Sequence, residues 1–237
     1  MYWFFAILRR VLPNSLPSTL PSLVYLLLLF IPNPQSSTRE TVLVSIPRKL
    51  FWTCNPIPSL RPRFTIYNEL GHLDNIVVTM VGDLKYGRTV HSLARLLAFY
   101  NVRLNYVAPA SLQMPESVES ELAARGVSQH KTESLTADIL KETDILYMTR
   151  IQQERFASQE EYLKYKGVYV IDKALVLSGK PTMRVMHPLP RVGEITEDVD
   201  ELPQAAFFRE MENGMYTRMA IIALVTGTAN EVCEMEL

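Results

Sequence analysis

Apolar and polar positions follow two different rhythms from Phe64 onward, and together they predict a layered α/β fold. Short apolar runs predict strands, whereas apolar positions at i, i+3, i+4 and i+7 predict a helix. The predicted strands are Ile76–Val81, Leu104–Val107, Ile145–Met148, Val168–Ile171 and Met183–Met186. The predicted helices are one through Val90, Leu93, Ala94 and Leu97, one over Pro115–Arg125 before Gly126, and one over Met215–Thr226, between Asn213-Gly214 and Gly227. Strands that alternate with helices favour a doubly wound parallel sheet with helices on both faces.

The first sixty-three residues differ from the rest of the chain. They hold nine of the fifteen prolines, none of the nine glycines, and seven Lys or Arg against one acidic residue. We therefore expect residues 1–63 to be an irregular, proline-rich and poorly ordered leader, and residues 64–237 to be the globular domain. The apolar run Leu23–Ile31 offers an alternative, a signal peptide or membrane anchor, but it is shorter than the roughly 20 residues that a spanning helix needs.

Charge and cysteine content narrow the class of protein. The net charge is −1, without the basic excess that is typical of nucleic-acid binding, so no nucleic-acid partner is expected. Only two cysteines, Cys54 and Cys233, are present, which favours a reducing, cytoplasmic setting over a disulfide framework. The four histidines lack metal-ligand spacing, so we expect no metal site.

Three polar clusters follow predicted strands, where ligands of parallel α/β sheets bind. They are Gly82–Arg88 after the first strand, Thr149–Gln152 after Ile145–Met148, and His187–Arg191 after Met183–Met186. Two of the clusters contribute arginines, Arg88 and Arg150, and a guanidinium binds a carboxylate bidentately. The pattern predicts a site for a dicarboxylic acid. Each cluster taken alone is equally compatible with a solvated surface arginine or a proline-stiffened loop.

A nucleotide site is the alternative that the pattern leaves open. Gly82–Thr89 nearly fits the phosphate-binding P-loop between a strand and a helix, and Val168–Asp172 resembles a strand that ends in a magnesium-binding aspartate. Arg88 stands where the P-loop has lysine, however, and bulky residues fill the middle of the loop.

Long motifs carry a resemblance to the aspartate/ornithine carbamoyltransferase family. MVGDLKYGRTVHSL at Met80–Leu93, DILYMTRIQQER at Asp144–Arg155, MHPLPR at Met186–Arg191 and the ending ENGMYTRMAIIALVTG resemble aspartate carbamoyltransferase, from about Phe64 to Gly227. The resemblance covers that enzyme's aspartate-binding domain. It implies transfer of a carbamoyl group from carbamoyl phosphate to L-aspartate in pyrimidine synthesis, with no cofactor. The ornithine-specific sister enzyme is disfavoured, because its pattern has a cysteine where this chain has Pro188.

The resemblance also implies roles for residues at matching positions. Arg88 is expected to hold the α-carboxylate of aspartate, and Arg150, assisted by Gln152, the side-chain carboxylate. The backbone carbonyls of Leu189 and Pro190 are expected to accept hydrogen bonds from the carbamoyl amide and the attacking amine. Glu154 and Arg155 belong to the segment that matches a mobile, closing loop.

The chain departs from the family before Phe64. Ser37-Thr38-Arg39 echoes a phosphate-binding Ser-Thr-Arg-Thr motif, but Glu40 follows it, and Asn55 and Pro58 stand where the family has the carbamoyl-contacting His and Gln. We therefore expect a carbamoyl-phosphate domain that is largely missing and doubtful activity of this chain alone. The family is trimeric with shared active sites, so trimer contacts are expected to weaken. The sequence leaves three hypotheses open: an active transferase, which the missing domain disfavours, a truncated or misassembled transferase, and a binding protein that retains an amino-acid site without turnover.

Overall fold

The computed structural model describes residues 24–32, 39–47, 56–156 and 158–226, and the chain divides into two compact units. In one unit, strand β1 (Val24–Pro32) pairs antiparallel with strand β2 (Arg39–Pro47). The other unit, Pro58–Gly214, carries a five-stranded sheet. The doubly wound α/β class predicted from the sequence is confirmed in this second unit.

The five-stranded sheet is entirely parallel, in the order β5-β4-β3-β6-β7. Its strands are β3 (Ile76–Val81), β4 (Val102–Val107), β5 (Ser128–Thr132), β6 (Ile145–Met148) and β7 (Arg184–Met186). The helices are α1 (Pro56–Leu70), α2 (Arg88–Leu97), α3 (Glu116–Ala123), α4 (Ala137–Glu142), α5 (Gln159–Leu163), α6 (Lys173–Leu177) and α7 (Phe207–Thr226). After β5 the chain returns to the other side of β3, so the winding direction reverses between β3 and β6.

Each face of the sheet has its own apolar core, because successive side chains of a strand point to opposite faces. On β6, Ile145 and Tyr147 lie in one core, whereas Leu146 and Met148 lie in the other. The first core contains the apolar faces of α2 and α3, and the second contains residues of α4 and α6. These two cores fix the level of β3, β4, β6 and β7, and therefore the position of the segments that follow these strands.

Two predicted elements need correction. Val168–Ile171 is not a strand, because only an isolated bridge joins Ile171 to Ile195, and Val168 and Val170 are exposed. The C-terminal helix begins at Phe207 and not after Gly214. Gly214 lies inside the helix, where the side chain of Arg61 packs directly against its Cα. A Cβ at this position would stand 2.5 Å from Cδ of Arg61, so a larger residue would clash.

Helix α1 crosses the boundary that the sequence places at residue 63. Its residues from Ser59 to Arg63 are buried, and the compact unit begins at Pro58. Three prolines concealed this helix from the sequence pattern, although two of them, Pro56 and Pro58, lie in its first turn, where the N–H groups have no intrahelical partner.

Several sequence features lie outside the described residues. These are Ser37 and Thr38 of the phosphate-motif echo, Asn55, Gly227 and both cysteines. The apolar run Leu23–Ile31 is described from Val24 onward, within β1. In the part of the chain that the structure describes, no helix is both long and apolar enough for a membrane span, and no three metal-binding side chains cluster.

Candidate functional site

The three polar clusters lie at one edge of the sheet. Val81 at the end of β3 pairs with Met148 at the end of β6, and Tyr147 of β6 pairs with Met186 at the end of β7. The segments that follow these strands therefore start at the same level, at the carboxyl ends. The reversal of winding between β3 and β6 is the switch point at which such sheets bind ligands.

The end of β3 is packed directly against the end of β6. Thr149 donates its backbone N–H and its side-chain hydroxyl to the carbonyl of Val81, at 2.9 and 3.0 Å. Gly82 has a φ of +110°, and a Cβ on it would lie 2.2 Å from the Thr149 carbonyl oxygen. Only glycine fits there, so Gly82 allows the two arginine-bearing segments to approach.

Asp83 organises the turn between β3 and α2 from the inside. Its side chain is buried, and its Oδ1 accepts the N–H of Tyr86 at 2.9 Å. Burial raises the pKa of this carboxyl, with backbone N–H groups opposing the shift. A P-loop offers its backbone N–H groups to phosphate. Here a carboxyl group takes that place inside the loop, which disfavours the nucleotide interpretation.

Arg88 begins helix α2, at the positive end of the helix dipole. Its side chain is exposed, and within the described ranges it forms neither an ion pair nor a hydrogen bond. The guanidinium is therefore available to an anion from solution.

Arg150 follows β6 by two residues and is half-buried. Its Nη2 donates to Glu154 Oε1 at 2.5 Å. Glu154 and Arg155 are exposed in the short 3₁₀ turn Gln153–Arg155, and Gln152 precedes that turn. The only carboxylate that Arg150 contacts among the described residues thus comes from the segment that the sequence predicts to be mobile.

A cavity of about 260 Å³ opens beside Arg150. Its wall includes Arg150, Glu154, Lys166, Tyr169 and Glu194. Arg88, Gln152, Leu189 and Pro190 are not part of this wall. The structure thus places the predicted residues on one edge of the sheet, but in the cavity it brings together only Arg150 and Glu154.

The third cluster forms a tight turn after β7. Leu189 has a φ of +47°, and its N–H donates to Nδ1 of His187 at 2.9 Å. Arg191 pairs bidentately with Asp200, so it is not free to bind a ligand. Sequence reasoning assigned no role to the buried His187, because a single histidine beside prolines carries no spacing signal.

Comparison with known proteins gives the family. Residues 74–225 match the family described as aspartate/ornithine carbamoyltransferase, Asp/Orn binding domain. The chain is 52% identical over 173 residues to the multifunctional protein CAD of Squalus acanthias, covering 73% of this chain and 8% of that protein. It is 47% identical over 173 residues to the aspartate carbamoyltransferase catalytic subunit of Thermococcus gammatolerans, covering 73% of this chain and 56% of that subunit. The chain therefore spans about half the length of such a subunit.

Solved structures agree with this match. Aspartate transcarbamoylase of Trypanosoma cruzi, in complex with carbamoyl aspartate and phosphate, superposes with a TM-score of 0.63 at 43% identity, covering 70% of this chain and 53% of that chain. The catalytic subunit of the M. jannaschii enzyme superposes with a TM-score of 0.66 at 43% identity, covering 73% of this chain and 56% of that chain. This chain therefore belongs to the aspartate/ornithine carbamoyltransferase family and contains its amino-acid-binding domain.

Proposed function

We propose that the crevice at the carboxyl ends of β3, β6 and β7 binds L-aspartate for carbamoyl transfer. The observation that carries the proposal is the pair of arginines at the switch point. Arg88 has no partner among the described residues, and Arg150 is paired only with Glu154. In this proposal Arg88 binds the α-carboxylate, and Arg150, with Gln152 beside it, binds the side-chain carboxylate.

The proposed reaction is that of aspartate carbamoyltransferase. The amine nitrogen of aspartate forms a bond to the carbamoyl carbon, the bond between that carbon and the phosphate oxygen breaks, and the amine loses one proton. The products are N-carbamoyl-L-aspartate and phosphate, and the reaction serves pyrimidine synthesis. The carbonyls of Leu189 and Pro190 would accept hydrogen bonds from the amine and the carbamoyl NH₂. Catalysis then rests on orienting the reactants and stabilising developing charge.

Aspartate is a better match to this crevice than ornithine. Two guanidinium groups attract a second carboxylate and repel the side-chain ammonium of ornithine. Pro188 also occupies the position where the ornithine-specific pattern has cysteine. Two solved neighbours are Trypanosoma cruzi aspartate transcarbamoylase in complex with aspartate and phosphate, and in complex with carbamoyl phosphate and aspartate.

The carbamoyl phosphate half of the site is a separate part of the proposal. Asn55 and Pro58 stand in place of the expected His and Gln, so we propose that this sequence binds dicarboxylates but transfers the carbamoyl group slowly when tested alone. Weakened trimer assembly is proposed from the departures from the family sequence before Phe64, and a cytoplasmic location from the presence of only two cysteines. An assay of N-carbamoyl-L-aspartate formation tests the first point, and a rate near that of a family member would refute it.

The binding site is tested by titrating the chain with succinate, MgATP and ornithine, followed by calorimetry. Succinate is expected to bind weakly, whereas the other two ligands are expected not to bind. Arg150→Ala removes one charge-assisted pair, worth about 1.5–3 kcal/mol, and should weaken succinate binding by roughly tenfold to a hundredfold or more.

Arg125→Ala is the matched control, because Arg125 pairs with Glu121 on helix α3 and its loss should leave succinate binding unchanged. Tight MgATP binding that survives Arg150→Ala would overturn the proposal in favour of a nucleotide site. Equal weakening by both arginine variants would show a nonspecific charge effect and would also overturn it.

A further inference from the structure

His187 is buried at the start of the third cluster and hydrogen-bonds through both ring nitrogens. Its Nδ1 lies 2.9 Å from the backbone nitrogen of Leu189, and its Nε2 lies 2.8 Å from Oε1 of Glu194. A backbone N–H only donates, so Nδ1 must accept and carry no hydrogen. The ring hydrogen of the neutral imidazole is therefore on Nε2, where it faces a carboxylate.

Glu194 closes the turn from its other end. Its Oε2 accepts the backbone N–H of Val192 at 2.9 Å, while Oε1 receives the hydrogen from His187. Burial favours the neutral acid, but the hydrogen bonds from His187 and the Val192 N–H outweigh it and lower the pKa of Glu194. An ionised Glu194 suits a charge-assisted bond from the imidazole. The two side chains thus hold Leu189–Val192 between them, and we name this pair the His187–Glu194 clamp.

The clamp is itself fixed to the rest of the unit. The backbone N–H of His187 donates to Glu210 Oε2 at 3.1 Å, and the carbonyl of Glu194 accepts the N–H of Ile171 at 2.9 Å. Leu189 adopts a φ of +47°, a left-handed conformation that is energetically costly for a leucine. The hydrogen bond from its N–H to His187 offsets part of that cost, so the turn keeps one backbone conformation.

Two consecutive carbonyls of the turn have no donor. Across the described segments, no N–H or O–H group donates to the carbonyl oxygen of Leu189 or of Pro190. The carbonyl of Pro188 does have one, since Arg61 Nη2 donates to it at 3.4 Å. The turn therefore pairs the N–H groups of Leu189 and Val192, and it leaves the carbonyls of Leu189 and Pro190, among others of the turn, as acceptors for a ligand that carries N–H donors.

We propose that His187 and Glu194 are positioning residues, which hold the Leu189–Pro190 carbonyls in the geometry that receives the N–H donors of a carbamoyl group. This inference rests on the proposed function. It goes further by assigning the two side chains that hold these carbonyls in place, and it predicts that they affect recognition of the carbamoyl amide and not recognition of the carboxylates by the arginines. A purely structural role for His187 would affect both kinds of recognition equally.

Two variants of His187 each keep one of the two hydrogen bonds of the imidazole and remove the other. In His187→Asn the side-chain oxygen falls near the position of Nδ1 and keeps an acceptor for the Leu189 N–H. In His187→Gln the side-chain NH₂ falls near Nε2 and keeps only the donor to Glu194. His130→Gln is the matched control, because His130 is exposed on the edge strand β5.

Affinities for succinate and for N-carbamoyl-L-aspartate are then compared in the full chain. His187→Gln should weaken binding of N-carbamoyl-L-aspartate by about five- to tenfold, as expected for a loss of about one hydrogen bond, and leave succinate binding unchanged. His187→Asn should preserve most of the affinity for both ligands. Equal losses for both ligands, or no loss for either, would overturn the positioning role.

The clamp also has a readout that needs neither a variant nor a ligand. Long-range ¹H–¹⁵N spectra of the wild-type chain should show His187 as the Nε2–H tautomer with a hydrogen-bonded Nδ1. An Nδ1–H tautomer would overturn the clamp. If the wild-type chain does not bind succinate, the proposed function fails and the positioning role fails with it, whereas the spectrum still decides whether the clamp exists.

Discussion

Glu154 provides Arg150 with a carboxylate partner from four residues along the chain, at 2.5 Å. This is the interaction that the side-chain carboxylate of aspartate is proposed to make. Glu154 is exposed, and its pKa is lowered by its own backbone N–H and then by Arg150, so it is ionised at neutral pH. The carboxylate of the loop and that of the ligand therefore compete for one guanidinium.

Replacing Glu154 by Gln should strengthen succinate binding. An exposed ion pair is worth about 0.2–1 kcal/mol, so the expected gain is at most about fivefold, and it should shrink at high salt. Calorimetric titrations at low and high ionic strength measure the gain. Weaker binding by Glu154→Gln would contradict the competition and indicate that Glu154 instead orients Arg150 for the ligand.

Replacing Gly82 by Ala should damage both the fold and the site. The new Cβ would meet the Thr149 carbonyl at 2.2 Å in a backbone conformation with φ of +110°. We expect the free energy of unfolding to fall by about 3 kcal/mol or more, and succinate binding to be lost.

Gly126→Ala is the control for this change, because Gly126 also has a positive φ, +80°, but open space around it. It should cost only about 1–2 kcal/mol of stability and leave binding intact. Urea denaturation of both variants measures the difference. Similar losses in the two variants would show that backbone strain, and not the contact between β3 and β6, dominates at Gly82.

Glu210 should make stability depend on pH. Its carboxylate is buried, with Arg61 Nε at 3.1 Å, and burial raises its pKa from 4.5 to about 7, although Arg61 opposes the shift. Between these two values the unfolded chain has lost the proton that the folded chain keeps. The free energy of unfolding should therefore fall as pH rises from about 4.5 to 7, by up to about 3 kcal/mol from this group.

Urea denaturation of the wild type and of Glu210→Gln across this pH range isolates the contribution. The difference in the free energy of unfolding between the two proteins should change with pH over this range. If the free energies of unfolding of the wild type and of Glu210→Gln differ by a constant amount from pH 4 to 8, Glu210 does not titrate in this range.

The elements that position the proposed ligand contacts are the ones that the sequence predicts best. Strands β3 and β6 are buried along almost their whole length, so each appears as an apolar run, interrupted in β3 only by Thr79, and α2 has a clear apolar stripe. Strand β5 was missed because it is a polar edge strand whose side chains are exposed or half-buried. Its pairing with β4 is made by backbone groups, which leave no mark on the hydrophobic pattern.

The sequence predicts only some of the residues that form the candidate site. Arginines that follow strands can be found by position, but the hydrophobic pattern records neither the local turns in which Asp83 and His187 act nor contacts between segments far apart in sequence. The Val81 carbonyl that receives Thr149 is one example. The strand prediction for Val168–Ile171 is wrong because four consecutive apolar residues imitate a buried strand, whereas only Tyr169 and Ile171 are buried and the segment forms one isolated bridge.

After β5 the chain crosses back over the sheet and places β6 beside β3, and this connection has a consequence for folding. Arg88 belongs to the half of the sheet in which β3, β4 and β5 are consecutive in sequence and adjacent in space. Arg150 joins this half only when β6 closes a long loop and pairs with β3. Closing such a loop costs entropy, so this strand pair is expected to form late. A ligand that spans both arginines binds only the docked arrangement and shifts the equilibrium toward it by mass action. Amide exchange in β6 should therefore slow when succinate is added, which makes the aspartate crevice a reporter of whether the sheet is complete.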